Sequence, residues 1–191
     1  MKLHVGKRAI RALGIAESFR PSAAKSTIAG VVMRTDMVVD GFVLGTAIVG
    51  GEDATASLLG MHRRLRRQDI NAIILSGCII SRYNIIDVDE LAERTGLPVI
   101  CLTYKQSSGI EEAIRRHFDE PESRIERYKK LGGRTRLVLR TGHTVFVRTS
   151  GISELDAKGV LDAFTLQGGV PEPVRLAALL ARAAASNLRR T

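Results

Sequence analysis

The chain has 191 residues, of which 45% are apolar and 26% charged, and its formal net charge is +9. A chain of this length buries a core without metal or disulfide staples, so we expect a single domain over residues 1–191. No apolar run approaches the roughly 18 residues that cross a membrane, and the opening residues MKLHVGKRAI lack the apolar centre of a secretory signal. These absences predict a cytoplasmic protein with no membrane partner.

The first part of the chain predicts three strands before any helix. The strands are expected at residues 8–16, 27–34 and 37–49, with a polar loop between the first two and a tight turn between the last two. Gly45 is predicted to mark a β-bulge in the third strand. A helix with apolar residues on one side then extends to about Arg67.

The rest of the chain alternates strands and helices before a final helical pair. Further strands are predicted at residues 71–76, 98–103, 136–140 and 144–149. Helices are predicted at residues 87–95, 109–117, 121–131, 153–164 and 172–188.

This order of elements indicates an α/β protein with a mixed sheet. Three strands ahead of the first helix exclude a purely parallel sheet, and ribonuclease H-like domains begin in this way. We therefore predict a ribonuclease H-like mixed β-sheet flanked by helices, with a C-terminal strand and helix extension. A doubly wound nucleotide-binding fold would alternate from the start and carry GxGxxG or GxxxxGK[ST], and neither motif occurs.

Three stretches of the sequence resemble one archaeal family. They are GGVPEPVRLA at residues 168–177, Tyr83-Asn84-Ile85-Ile86-Asp87, and Glu52-Asp53-Ala54-Thr55. They are similar to the signatures of the endonuclease dU family, long described as a domain of unknown function. That family is related to endonuclease V and has a ribonuclease H-like fold.

The resemblance implies a nuclease site at three strand tips, with several acids replaced. Where the family has Gly-Ile-Asp-Asp, this chain has Ala16 and Glu17 in the acidic positions. Gly50 replaces the first acid of the family's Asp-Gly-X-Asp, while Asp53 keeps the second. Ser76 replaces the aspartate of the family's central Asp-Gly, so it is interpreted as a substituted carboxylate.

The remaining polar residues can be assigned roles from the same resemblance. Metal-assisted hydrolysis of a phosphodiester needs carboxylate ligands for magnesium or manganese. Glu17 and Asp53 are the predicted metal ligands, and Asp87 adds a third catalytic carboxylate. Ser76, Asn84 and Lys105 are predicted to contact the substrate, with Lys105 on a phosphate.

Each of these residues also has a structural interpretation. Asp53 and Asp87 precede predicted helices and are suited to cap them. Asn84 is suited to accept hydrogen bonds from backbone donors. Glu17 in a polar loop is compatible with simple solvation. Cys78, beside an apolar run, is predicted to be a buried reduced thiol, because no CxxC or Cys/His cluster indicates zinc.

The basic residues favour phosphate-bearing partners by long-range attraction. They cluster at residues 62–67 and 124–140, although a basic surface is also compatible with solvation alone. The leading prediction is a metal-dependent DNA endonuclease acting at deaminated bases of the deoxyuridine type, with a site depleted of acids. The alternative is an inactive nucleic-acid-binding module of the same fold. A small-molecule enzyme using Cys78 or Ser76 is the third and weaker alternative.

Overall fold

The computed structural model describes residues 10–20, 22–106 and 109–187. The strands are β1 (Arg11–Ser18), β2 (Lys25–Arg34), β3 (Val39–Ile48), β4 (Ala72–Ser76), β5 (Ile79–Ile80), β6 (Asn84–Ile85), β7 (Val99–Thr103), β8 (Thr135–Val138) and β9 (Thr144–Ser150). The helices are α1 (Ala54–Leu65), α2 (Val88–Thr95), α3 (Glu111–His117), α4 (Glu122–Lys130), α5 (Glu154–Phe164) and α6 (Glu172–Asn187).

Seven strands form one mixed sheet in the order β3-β2-β1-β4-β7-β9-β8. The strands β1, β4 and β7 are mutually parallel, whereas β2, β3, β8 and β9 are added in antiparallel pairs. The predicted mixed sheet is therefore confirmed. Since β1, β4 and β7 all run the same way, their C-terminal ends meet at one edge, which we call the strand-tip edge.

Each face of the sheet is covered by helices because successive strand residues point to opposite sides. On one face, Leu13, Ile73 and Val99 pack in a cluster that includes the apolar residues of α1 and α2. On the other face, Ile74 and Leu102 pack with α5 and the start of α6. Among the described residues, no helix has the length and apolar character needed to cross a membrane.

Gly14 sets how closely α6 approaches the sheet. A Cβ atom at this position would lie 2.4 Å from the carbonyl carbon of Pro173 and 2.6 Å from the backbone nitrogen of Val174. Only a residue without a side chain allows this contact between backbones. The PEP segment of the sequence therefore serves to dock α6 on β1.

Two details of the prediction are corrected by the structure. Gly45 does not mark a bulge, because the register of β2 and β3 shifts between Val32 and Met33 instead. A Cβ at Gly45 would lie 2.6 Å from the sulfur of Met61, so this glycine makes room for α1. The sequence prediction also missed the β5–β6 hairpin, which follows the tip of β4.

Candidate nucleic-acid site at the strand tips

The tips of β1 and β4 place two of the predicted site residues at one edge of the sheet but on opposite faces, because Ser76 shares the face of Leu102 and Glu17 that of Ile15. Glu17 and Ser76 both line a small pocket of about 10 Å3 at the strand-tip edge. The rest of the lining is mostly aliphatic, with Ile15, Leu75 and Ile80 among its members. Glu17 is the only carboxylate that lines this pocket in the part of the chain that the structure describes.

Both carboxylate oxygens of Glu17 accept hydrogen bonds from one residue of the β5–β6 hairpin. The backbone N–H of Ser81 donates to Oε1 at 2.8 Å, and its hydroxyl donates to Oε2 at 2.7 Å. The hydroxyl of Ser26 lies 2.5 Å from that of Ser81 and completes a buried chain of polar groups. Glu17 is thus oriented by the hairpin and not simply solvated.

The hairpin that Glu17 holds has a strained backbone. Ser81, Arg82 and Tyr83 have φ values of 45°, 59° and 65°, three consecutive left-handed residues without a glycine. Each such residue costs about 1–2 kcal/mol relative to the right-handed conformation. Strain of this kind persists only where surrounding contacts enforce it, and the two bonds from Ser81 to Glu17 are such contacts.

Ala16 and Glu17 face opposite sides of the sheet. Ala16 is 5% exposed and packs in a cluster with Ala177 of α6, whereas Glu17 turns toward Ser81 on the face covered by α1. The pairing of β1 is regular on both sides, so no bulge changes this alternation. The longer side chain of Glu17 therefore does not take the place of an acid at position 16.

Asp53 is used to close the connection between β3 and α1. Its carboxylate accepts the N–H of Ile48 at 3.0 Å and a side-chain N–H of Asn84 at 2.7 Å. The side-chain oxygen of Asn84 in turn accepts the N–H of Ala54 at 3.0 Å. Asp53 occupies the N-cap position of α1 but makes no side-chain cap bond, so the buried Asn84 supplies the acceptor that a capping residue normally provides.

Asp87 caps α2, in agreement with the structural interpretation of its sequence position. Its carboxylate accepts the N–H of Glu90 at 3.0 Å and pairs with Lys130 at 2.8 Å. The pKa of Asp87 is lowered: burial acts to raise it, and the bonds from Glu90 and Lys130 outweigh that effect. The ionised form is therefore already satisfied by donors of the protein.

Ser76 is the last residue of β4, and Lys105 lies just beyond the end of β7. Ser76 forms a side-chain hydrogen bond with Tyr104. Burial raises the pKa of the Tyr104 hydroxyl to about 12, although 40% of the residue is exposed, and the bond with Ser76 acts in the opposite direction. Lys105 is exposed at this edge, as a phosphate contact requires.

Beside the tip of β4, two buried thiols lie next to an arginine. Cys78 and Cys101 are both free and buried, which confirms the prediction of reduced thiols. A hydrogen bond from Cys101 and the positive charge of Arg148 lower the pKa of Cys78 to about 7. The guanidinium of Arg148 lies 3.5 Å from the sulfur of Cys78.

Part of the basic segment at residues 124–140 is structural and not a phosphate surface. Arg124 is 8% exposed and donates to the carbonyls of Gly50, Gly51 and Tyr83. Its guanidinium also stacks on Phe118 at 4.0 Å. This arginine therefore ties the β5–β6 hairpin to the start of α1, a role that composition alone does not reveal.

The surviving carboxylates do not assemble into a metal centre. Glu17 is bonded to Ser81, Asp53 to Ile48 and Asn84, and Asp87 to Glu90 and Lys130. Within residues 10–20, 22–106 and 109–187, no three His, Cys, Asp or Glu side chains gather closely enough to hold a metal ion. Two-metal hydrolysis needs a shared set of carboxylates, and the described donors do not fit one.

Comparison with known proteins shows the family. The family model described as endonuclease dU matches residues 8–185. A UPF0215 protein from Pyrobaculum calidifontis is 38% identical over 170 residues, covering 88% of this chain and 93% of that protein. A UPF0215 protein from Thermococcus kodakarensis is 32% identical over 161 residues, covering 83% of this chain and 81% of the relative.

Solved structures show the same fold. A protein of unknown function from Archaeoglobus fulgidus superposes with a TM-score of 0.81 at 28% identity, covering 92% of this chain and 98% of that one. Human ENDOV superposes with a TM-score of 0.64 at 15% identity, covering 95% and 86%. Endonuclease V from Ciona intestinalis, solved with DNA containing an inosine, gives a TM-score of 0.62 at 13% identity, covering 95% and 87%. The ribonuclease H-like prediction is thereby confirmed, and the chain belongs to the endonuclease dU family.

Proposed function

We propose that the protein binds DNA across the strand-tip edge, at deaminated bases of the deoxyuridine type, and that it has lost the hydrolytic step. Membership of a nuclease family supports the nucleic-acid ligand. The Ciona endonuclease V, which shares the fold, was solved on DNA containing an inosine. The net charge of +9 supports binding of a polyanion.

One observation supports the proposal that hydrolysis has been lost. Each surviving carboxylate is committed to a local structural contact, and Glu17 faces away from the side of the sheet where the first family acid would lie. Magnesium and manganese take several oxygen ligands in a fixed geometry. A single carboxylate at the tip of β1 supplies too few of them for tight binding.

A second candidate keeps the family's activity as a magnesium- or manganese-dependent endonuclease. It is favoured by the orientation of Glu17, because each of its oxygens accepts one hydrogen bond and a carboxylate oxygen has two lone pairs. Hydrogen-bonded carboxylates are common among metal ligands. In this candidate Glu17 is the principal ligand and Asp53 remains the predicted second one.

The two candidates are separated by binding and cleavage measured on the same labelled duplexes. Fluorescence anisotropy compares a duplex containing deoxyuridine with an undamaged one, in Mg2+ and in Mn2+. We expect tighter binding to the deoxyuridine duplex and no cleavage product. Cleavage that Glu17→Gln abolishes would support the second candidate, and equal binding of both duplexes would refute recognition of the deaminated base.

A matched pair of variants tests the missing acid directly. Ser76→Asp restores a carboxylate at the tip of β4, whereas Ser76→Asn has nearly the same shape without the charge. We expect the Ser76→Asp variant to gain saturable Mn2+ binding by calorimetry and the Ser76→Asn variant to gain none. Metal binding by the unchanged protein that is as tight as that of Ser76→Asp would contradict the proposed depletion.

A further inference from the structure

An open pocket lined by aromatic and arginine side chains lies beside the strand-tip edge. Its volume is about 300 Å3, and its lining includes Tyr128, Phe146, Arg134, Arg148, one carboxylate, Glu111, and the chain at Gly132-Gly133. Phe146 pairs with Thr103, the last residue of β7, so the pocket opens next to the tips of the parallel strands. None of the predicted site residues lines this pocket.

Each of the two aromatic rings has a guanidinium over it, at a longer distance than in the other such pair among the described residues. The Cζ atom of Arg148 lies 5.9 Å from the ring centre of Tyr128, and that of Arg134 lies 5.9 Å from the ring centre of Phe146. By contrast, Arg124 lies only 4.0 Å above Phe118. Both rings are partly exposed, so part of each remains accessible to a planar group.

Arg148 is held in place by contacts on three sides. It donates to the carbonyl of Gly132 at 3.0 Å, lies 3.5 Å from the sulfur of Cys78, and approaches Tyr128. These contacts fix a positive charge between the pocket and the tip of β4. A fixed cation beside an aromatic platform matches the two parts of a nucleotide, its phosphate and its base.

We propose that this pocket is a stacking site for one nucleotide of a nucleic-acid strand, with the base against Tyr128 and Phe146 and a phosphate at Arg148. Base stacking on aromatic side chains is tolerant of sequence and strengthens single-strand binding. Two exposed lysines, Lys105 and Lys129, are sequence neighbours of the lining residues Gln106 and Tyr128 and add positive charge. The site rests on the proposed function in one respect, that the ligand is a nucleic acid.

The absence of tryptophan from the chain allows a direct test. Phe146→Trp introduces a single tryptophan, which keeps an aromatic ring in the pocket. Phe42→Trp is the matched control, because Phe42 is 61% exposed on β3, at the opposite side of the sheet. Both variants are titrated with an oligodeoxythymidylate and with thymidine monophosphate, and their folds are compared by circular dichroism.

We expect the oligonucleotide to quench the fluorescence of Phe146→Trp saturably and to leave Phe42→Trp unchanged. Tyr128→Leu should weaken binding of the labelled oligonucleotide by about tenfold, since it removes one stacking partner, while Tyr128→Phe should bind normally. This second series is read by anisotropy, so the proposal remains testable if Phe146→Trp does not fold.

Three results would overturn the stacking site. If anisotropy shows the oligonucleotide bound to Phe146→Trp without quenching, the strand binds elsewhere and only the proposed function survives. If no oligonucleotide or damaged duplex binds at all, the proposed function fails as well. If thymidine monophosphate quenches Phe146→Trp as tightly as the oligonucleotide does, the pocket is a site for free nucleotides and not for a strand.

Discussion

Replacing Ser81 by alanine tests whether Glu17 serves mainly to hold the β5–β6 hairpin. The substitution removes the hydroxyl that donates to Glu17 but leaves the backbone N–H bond in place. It also removes the acceptor of the Ser26 hydroxyl, because the Ser81 hydroxyl donates its own proton to Glu17 and can only accept from Ser26. Ser26 is 1% exposed, so water does not readily replace that partner.

The expected cost follows from these two losses. A hydrogen bond to a charged group contributes about 1.5–3 kcal/mol, and the half-buried position of Glu17 favours the lower end. Leaving the buried Ser26 hydroxyl unsatisfied costs roughly 1 kcal/mol more. We therefore expect Ser81→Ala to lower the free energy of unfolding by about 2–3 kcal/mol, measured by guanidinium chloride unfolding followed by circular dichroism.

The neighbouring residue provides the control. Arg82 is exposed and has a φ of 59°, so Arg82→Gly relieves strain without removing a buried contact. Its free energy of unfolding should stay the same or rise by up to about 1 kcal/mol. A loss below about 0.5 kcal/mol for Ser81→Ala, the range of ordinary surface substitutions, would refute the view that Glu17 holds the turn.

Three further predictions follow from contacts and pKa shifts elsewhere in the chain. Gly14→Ala should destabilise the protein by about 3 kcal/mol or more, because its Cβ meets the backbone of α6. Gly60→Ala should stabilise the protein by about 1 kcal/mol, because Gly60 lies inside α1 with open space around it. Chemical unfolding of both variants checks this contrast. Hydrogen bonding from Arg67 lowers the pKa of Asp69 from 3.8 to about 2. The stabilisation that ionised Asp69 provides is complete above its unfolded pKa of 3.8 and disappears as the pH falls through about 2. Asp69→Asn should therefore flatten the dependence of the free energy of unfolding on pH between about 2 and 3.8. The thiolate absorbance of Cys78 should titrate near pH 7, and Cys101→Ala should raise the midpoint; a midpoint near 9 in the unchanged protein would contradict this assignment.

The strands and helices of the main sheet could be predicted because their signals are local. Apolar runs placed β4 and β7 within about one residue, and the pair Asp87 and Gly96 marked both ends of α2. The β5–β6 hairpin could not be predicted, since its strands have two residues each and its turn contains no glycine or asparagine at the left-handed positions. Long-range contacts, and not local preference, impose that turn.

The structural roles of Gly45 and Arg124 also could not be predicted from the sequence, but for a different reason. A glycine in a strand signals either a bulge or the close approach of another element, and only the packing of Met61 decides between them. Arg124 belongs to a basic stretch, yet it is buried because three backbone carbonyls converge on it. Which charges of a basic segment remain on the surface is a property of the tertiary structure.

The orientation of side chains on β1 limits how a depleted site can be compensated. A neighbouring acid does not replace one lost from a strand, because a shift of one position moves the carboxylate to the opposite face. Glu17 therefore lies toward Ser81, while position 16 is filled by an alanine packed beneath α6. Placing an aspartate at Ala16 would put a charge into that apolar contact. Ser76 lies next to Ala16 on the same face, because Ile15 pairs with Leu75, but it is partly exposed. For this reason Ser76→Asp, and not Ala16→Asp, is the substitution with which a carboxylate should be restored at the strand tips.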